Sequence, residues 1–151
     1  MKRPIWGALC LFYVLLSGCA ATKSAFQATW YFVDESTGRD QPRMEMYVAI
    51  LNQSPEVIKV NSIILNAVEN KPQSGWRLDG VNRAFEPGEI LLRRIKDFTR
   101  ENGTGMKEAM GNCRVPVRVL VLTEPADAVR ADIIGAMPSS VPEGWQEKCA
   151  K

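Results

Sequence analysis

The sequence predicts a small, mainly β domain, an antiparallel β-sandwich that is Ig-like in the broad sense. Short segments alternate between apolar and polar residues with the two-residue period of a half-buried strand. Glycine, proline, asparagine and aspartate separate these segments, as in turns between strands. No segment repeats its apolar residues with the period of an amphipathic helix. The alternative is an α+β domain in which residues 107–111 and their neighbours form a short helix.

The first half of the domain is predicted to contain three strands. Residues 25–33 are rich in aromatic and β-branched side chains, and residues 43–52 alternate strictly between apolar and more polar positions. Residues 56–65 follow after a short turn-like segment, which predicts a hairpin between the second and third strands. The polar segment that comes next is expected to anchor on the core through Trp76 and Leu78.

The second half predicts three more strands. Residues 90–98 follow the turn-like segment 85–89 and form the fourth. Residues 113–123 form the fifth, with Pro116 near its start and four valines on one face, namely Val115, Val117, Val119 and Val121. Residues 129–136 alternate again and are expected to pair with the fifth strand.

The N-terminus has the parts of a bacterial secretion signal. Lys2 and Arg3 precede an almost wholly apolar stretch, residues 5–16, which is shorter than the roughly 20 residues of a membrane-spanning helix. The stretch ends in Leu16-Ser17-Gly18-Cys19, which resembles the lipobox of bacterial lipoproteins. The resemblance implies that the thiol of Cys19 carries a diacylglycerol, that the chain is cut just before this residue, and that the new amine is acylated too.

This resemblance implies the organisation of the whole chain. Residues 1–18 are the signal peptide, residues 19–24 are a lipid-anchored tether, and residues 25–151 form one β-rich periplasmic domain. Two or three acyl chains would make a lasting membrane anchor, because one chain alone holds only reversibly. In the sorting pattern of this class, Ala20 after the lipidated cysteine implies the periplasmic face of the outer membrane. The covalent lipid on Cys19 is the only bound group that the sequence predicts.

The four cysteines fit that compartment. Cys10 would leave with the signal and Cys19 would carry lipid, so two remain. Because the periplasm is oxidising, Cys113 and Cys149 are predicted to form a disulfide. The chain has 19 basic and 17 acidic side chains, of which Lys2 and Arg3 belong to the signal, so the mature domain is neutral and is not expected to bind nucleic acid.

The sequence does not predict an enzyme. It contains no histidine, which removes the commonest general base and zinc ligand. A calcium-loop template is only partly matched, by Asp34, Ser36, Gly38 and Glu45. Arg39 stands where that template requires glycine, so no metal is predicted.

One charged cluster invites a functional interpretation. Four basic residues fall close together at Arg93, Arg94, Lys96 and Arg100. They are interpreted either as charges that guard an exposed strand edge or as a docking patch for an acidic partner.

The leading hypothesis is a lipid-anchored, non-enzymatic interaction or accessory subunit with a protein partner in the envelope. The layout looks similar to small lipoproteins that serve envelope assemblies such as secretion systems. The alternative is a carrier that holds a small molecule or lipid between the sheets, and a third possibility is an enzyme of unknown type.

Overall fold

The structure of the protein is a computed structural model that describes residues 23–36, 38, 43–68, 71–106, 113–133, 142, 144, 145 and 149. These residues form nine strands and two short 3-10 helices. The strands are β1 (Phe26–Asp34), β2 (Met44–Asn52), β3 (Ile58–Leu65), β4 (Trp76–Leu78), β5 (Arg83–Phe85), β6 (Ile90–Arg94), β7 (Val119–Glu124), β8 (Asp127–Arg130) and β9 (Asp132–Ile133). The 3-10 helices span Pro72–Ser74 and Ile95–Asp97.

The strands make two sheets that pack together, which confirms the predicted β-sandwich. The first sheet, called sheet A, has the order β6-β2-β1-β9. Its pairs are antiparallel except for β1 with β9, which are parallel. The second sheet, called sheet B, has the order β4-β3-β7-β8, and β5 pairs with the first part of β3.

The core lies between the sheets and comes from alternate residues of the long strands. Strands β1 and β2 point every second side chain inward, as their two-residue period predicts. Full burial of one large apolar side chain stabilises a fold by about 1.5–3 kcal/mol, so these inward residues contribute much of the favourable free energy of folding. The main inward residues are Phe26, Ala28, Trp30, Phe32, Met46, Val48, Ile50, Val60, Ile63, Leu65, Val119 and Val121.

The predicted hairpin between the second and third strands is wrong, because β2 and β3 lie in different sheets. The segment between them is an arch that crosses the sandwich. Asn52 holds it, since its Nδ2 atom donates hydrogen bonds to the carbonyl oxygens of Glu56 at 2.9 Å and Phe85 at 3.0 Å. Both strands still bury one apolar face, so the alternation could not distinguish an arch from a hairpin.

The fifth predicted strand begins later than expected, at Val119. The Oδ1 atom of Asn66 accepts hydrogen bonds from the N–H groups of Val117 at 2.8 Å and Arg118 at 3.2 Å, and its Nδ2 atom donates to the carbonyl of Val115 at 2.8 Å. These bonds hold the segment outside the sheet and leave Val117 66% exposed. The prediction that all four valines share one face is therefore wrong for Val117, whereas Val115 packs against the core that contains Val119 and Val121.

Other elements are shorter than predicted or were missed. The fourth predicted strand ends at Arg94, where the second 3-10 helix begins. The sixth is divided between β8, which pairs with β7 as expected, and β9, which crosses to sheet A. Trp76 is buried and Leu78 packs against the core, as predicted, but both belong to β4, which the sequence did not indicate. Residues 107–111 and 134–136 lie outside the described residues.

The predicted cysteine pair is present. The sulfur atoms of Cys113 and Cys149 lie 2.05 Å apart, and their Cα atoms are separated by 5.1 Å. Close to Cys149 in the sequence, the ring of Trp145 packs edge-on against Trp30 and Phe32 of β1, with centroid distances of 5.9 and 5.3 Å. Trp145 thus packs against the core, and Cys149 is joined covalently to Cys113.

The signal, the lipobox and Cys19 fall in residues 1–22, outside the described residues. Within the part of the chain that is described, no helix has both the length and the hydropathy needed to cross a membrane. Lipidation therefore stays a prediction.

Candidate interaction surface

The side of sheet A that faces away from the core carries an unusual set of residues, called here the outer face. Residues of β1, β2 and β6 that alternate with the core positions point to this side. None of them belongs to the buried core cluster or packs against it. Polar residues occupy the ends of this face, namely Gln27, Thr29, Glu45 and Arg94, and its apolar and aromatic part consists of Tyr31, Val33, Tyr47, Ala49, Leu51, Ile90 and Leu92.

The most exposed part of the outer face lies on β6, at the edge of the sheet. The side chains of Ile90 and Leu92 are 59% and 41% exposed, although both are large and apolar. Further along the same face, where Tyr47 lies opposite Arg94, the rings of Tyr31 and Tyr47 stack with their centroids 6.2 Å apart and their planes 18° from parallel. Exposed apolar residues grouped with tyrosines are typical of protein-binding surfaces.

One end of the outer face is charged but internally neutralised. The hydroxyl of Tyr47 donates a hydrogen bond to Glu35, and Arg94 donates from Nε to the Tyr47 oxygen at 2.9 Å. Arg94 also pairs with the Glu35 carboxylate at 3.1 Å. The Tyr47 hydrogen bond, aided by the Arg94 charge, lowers the pKa of Glu35, and the same hydrogen bond raises the pKa of Tyr47. The positive charge of Arg94 is thus balanced within the molecule.

A second acidic residue neutralises the neighbouring lysine. The Glu45 side chain is only 6% exposed and lies 3.7 Å from the Lys96 nitrogen and 3.4 Å from the Arg43 guanidinium. A buried carboxylate needs such partners, so the charge of Lys96 mainly compensates that of Glu45 and is less available to a partner in solution.

The structure does not assemble the four predicted basic residues into one patch. Arg94 and Lys96 face carboxylates, while Arg100 lies 3.8 Å above the ring of Trp76, which belongs to sheet B. Arg93 donates a hydrogen bond to the carbonyl of Leu92 at 2.8 Å. No carboxylate among the described residues pairs with Arg93.

Sequence reasoning missed the tyrosines and the two exposed apolar residues of β6. A signal was present, because the outward positions of the second predicted strand include Tyr47 and Ala49. Residues 90–92 are also apolar on both faces of a strand, although an exposed sheet face is usually polar.

The described contacts predict different effects for single charge reversals. Arg100→Glu removes a cation over a buried indole and should lower the stability by about 2 kcal/mol. Arg94→Glu should also lower the melting temperature, because it brings a carboxylate to Glu35. Arg93→Glu should change stability by no more than about 0.5 kcal/mol, as for other surface substitutions. Thermal unfolding of the three single variants would measure this order, and equal melting temperatures would contradict it.

The two carboxylates of the partial calcium template, Asp34 and Glu45, already have partners within the protein. The Oδ1 atom of Asp34 accepts hydrogen bonds from the N–H groups of Ser36 at 2.8 Å and Arg43 at 3.2 Å. The hydrogen bonds from Ser36 contribute most to lowering the pKa of Asp34. Within the described ranges, no three acidic or cysteine side chains are grouped so that they could hold a metal ion.

A cleft of about 710 Å³ opens on the side of the sandwich, beside β1 and β9. It is lined by Trp30, Val115, Pro116, Val117, Arg130, Ala131, Asp132 and Ile133. Between the sheets, large side chains such as Phe26, Ile50 and Ile63 are fully buried and fill the interior. The carrier hypothesis requires space between the sheets, and in the described part of the domain side chains fill that space. The cleft lies instead on the side of the sandwich.

No protein-family model matches the chain, and neither a curated protein nor a solved structure matches it.

Proposed function

We propose that this protein is a lipid-anchored, non-enzymatic accessory subunit that binds an envelope protein through the outer face. It would act on the periplasmic side of the outer membrane, held there by acyl chains on Cys19. The observation that carries the proposal is the pair of exposed apolar residues, Ile90 and Leu92, on the same sheet face as the stacked Tyr31 and Tyr47.

The chemistry of the outer face favours a protein partner with an apolar surface. Tyrosine contributes much to binding because it offers a large, rigid contact area together with a polar end. The neutralised pairs of Glu35 with Arg94 and Glu45 with Lys96 leave little net charge to attract nucleic acid or acidic lipids. Apolar contact with Leu92 and the tyrosines would therefore supply the affinity, and Arg93 would mainly steer the approach.

The position of the N-terminus supports function near the membrane. The backbone N–H of Ser24 donates to Asp132 at 3.1 Å, and its hydroxyl donates to the carbonyl of Arg130, so the chain is already fixed to the domain there. From residue 24 back to residue 19 an extended chain spans at most about 20 Å. An anchored domain would therefore stay close to the bilayer and could reach only partners at the same surface.

Site-specific photocrosslinking in intact cells tests the proposal. A photoreactive amino acid in place of Tyr31 lies on the outer face but away from the β6 edge. In place of the exposed Ala128 it lies on β8, the edge of the other sheet, and serves as the matched control. We expect one envelope protein to be captured from Tyr31 and not from Ala128.

A second substitution shows whether the captured contact is specific. Leu92→Glu places a charge in the apolar surface and should reduce the Tyr31 adduct about tenfold, the effect of a hot-spot residue. Equal capture at both positions, or no capture from Tyr31, would contradict the proposed function.

A further inference from the structure

We infer that the free edge of β6 pairs with the same strand of a second copy of this chain, so that sheet A continues across a twofold axis. This inference concerns the edge of the sheet and a second copy, so it does not depend on the envelope partner proposed for the outer face.

In the described part of the chain, no strand lies along the outer edge of β6. Among the described residues β6 pairs with β2 alone. The N–H of Asn52 donates to the carbonyl of Glu89 at 3.0 Å. This bond determines which residues of β6 direct their backbone N–H and C=O groups toward β2. Because backbone groups alternate between the two sides of a strand, those of Leu91 face β2, whereas those of Ile90 and Leu92 point to the free side.

The usual protection of an edge strand is only partial here, because Arg93 shares the inward phase of Leu91 while two of the outward residues are apolar. Edges are commonly blocked by lysine, proline, a bulge or an inward charge. On β6 the outward side chains include two exposed apolar residues, Ile90 and Leu92, and the guanidinium of Arg94 is held back on Tyr47 and Glu35. Arg93 donates to the outward carbonyl of Leu92, and pairing would replace this bond with one from a second strand.

The sequence of β6 is complementary to itself in one antiparallel register. With Leu91 opposite Leu91 of the second copy, Ile90 faces Leu92 of that copy, and the same contact occurs twice. In this register Glu89, whose carboxylate already pairs with Arg83 and accepts the N–H of Glu86, also comes to face Arg93 of the second copy, so this arginine gains a nearby negative charge. Cross-strand apolar pairs and opposite charges both stabilise a sheet.

A shifted register is less favourable. With Leu92 opposite its own copy, Arg93 would face Leu91 and Arg94 would face Ile90, so each charge would oppose an apolar residue. The register centred on Leu91 is therefore the one we assign. A five-residue edge pair buries less than the roughly 1,200–2,000 Å² of a standard interface, so we expect a dimer that exchanges rapidly and needs a covalent trap.

Cysteine trapping with two differently tagged full-length chains tests the register. One chain carries Ile90→Cys and the other Leu92→Cys, and both are expressed together and oxidised mildly. In the assigned register these two positions are directly opposite, with Cα atoms about 5.5 Å apart, within the range that a disulfide allows. Each position is offset from its own copy by two residues, and the resulting distance of roughly 7–8 Å exceeds that range.

We expect the mixed disulfide to exceed each same-site disulfide about tenfold. Ala128→Cys, on the exposed edge of sheet B, and the chain without an added cysteine should give no product above background. A statistical mixture of the three disulfides would indicate random collision, and dominance of the Leu92→Cys homodimer would indicate another register. Either result, or the absence of any product, would overturn the inference.

The charge pair provides a second measurement that does not alter the apolar residues. Arg93→Glu in both tagged chains opposes Glu89 with a like charge and should reduce the mixed disulfide several-fold, whereas Arg93→Lys should preserve it. An equal yield from both variants would contradict the assigned register. Loss of the Tyr31 photoadduct would leave these yields unchanged, so the two proposals fail separately.

Discussion

Replacing Cys19 with serine should abolish labelling of the protein by a palmitate analogue and leave a precursor that keeps its signal. The reason is chemical, because the lipobox resemblance implies a thioether bond that a serine hydroxyl cannot supply. Without the diacylglycerol, the peptidase that cuts before residue 19 would have no substrate. In-gel fluorescence of the labelled protein and its migration against the processed form would measure both effects.

The signal itself contains a matched control. Cys10→Ser changes a cysteine within the apolar stretch, nine residues before the proposed lipidation site, and should leave labelling and processing intact. Undiminished labelling of the Cys19→Ser variant would refute the lipoprotein assignment. Equal loss in both variants would instead indicate that the signal no longer directs export.

Removal of the disulfide should have the largest effect on stability. The bond joins residues that are 36 apart, and closing a loop of that size stabilises a domain by about 3–4 kcal/mol in the chain-entropy model. Without it, Cys113 and Cys149 no longer hold the C-terminal segment, and the contact of Trp145 with β1 loses its support. We therefore expect urea unfolding of the Cys113→Ser/Cys149→Ser double variant to show a loss of this size.

Reduction provides the control for the cysteine substitutions. The unsubstituted protein in dithiothreitol should unfold at the same urea concentration as the double variant, and the double variant should not respond to the reductant. Recovery of both cysteines as free thiols from the periplasm, or a loss below about 1 kcal/mol, would contradict the prediction.

The strands were largely predictable from sequence, but their assignment to sheets was not. Burial of alternate residues in β1 and β2 creates the two-residue period itself, so the pattern predicts the strand. Which strand pairs with which depends on distant contacts. Asn52 donates a hydrogen bond to the carbonyl of Phe85, and Asn66 forms hydrogen bonds with the backbone of residues 115–118. These partners are far apart in the sequence, so the alternation of apolar and polar residues within a strand cannot predict them.

The charge pairs at the candidate surface could not be predicted from sequence either. The basic residues at 93–100 are conspicuous in the sequence, yet Arg94 is neutralised by Glu35 and Lys96 by Glu45, which are distant in the sequence but lie at the same end of sheet A. Their pairing follows from the β2–β6 register and not from sequence proximity. The apolar residues Ile90 and Leu92 became candidates only once the edge position of β6 was known.

The placement of β1 has a mechanical consequence for an anchored protein. The tether leads directly into β1, which β2 flanks along its full length, from the pair of Phe26 with Asn52 to that of Asp34 with Met44, and β9 flanks on the other side near the start. If the chain is anchored as proposed, a pull between membrane and partner runs along this strand. The force would then act in shear on many β1–β2 hydrogen bonds at once. The domain could therefore transmit force between bilayer and partner, because these bonds would not break one after another.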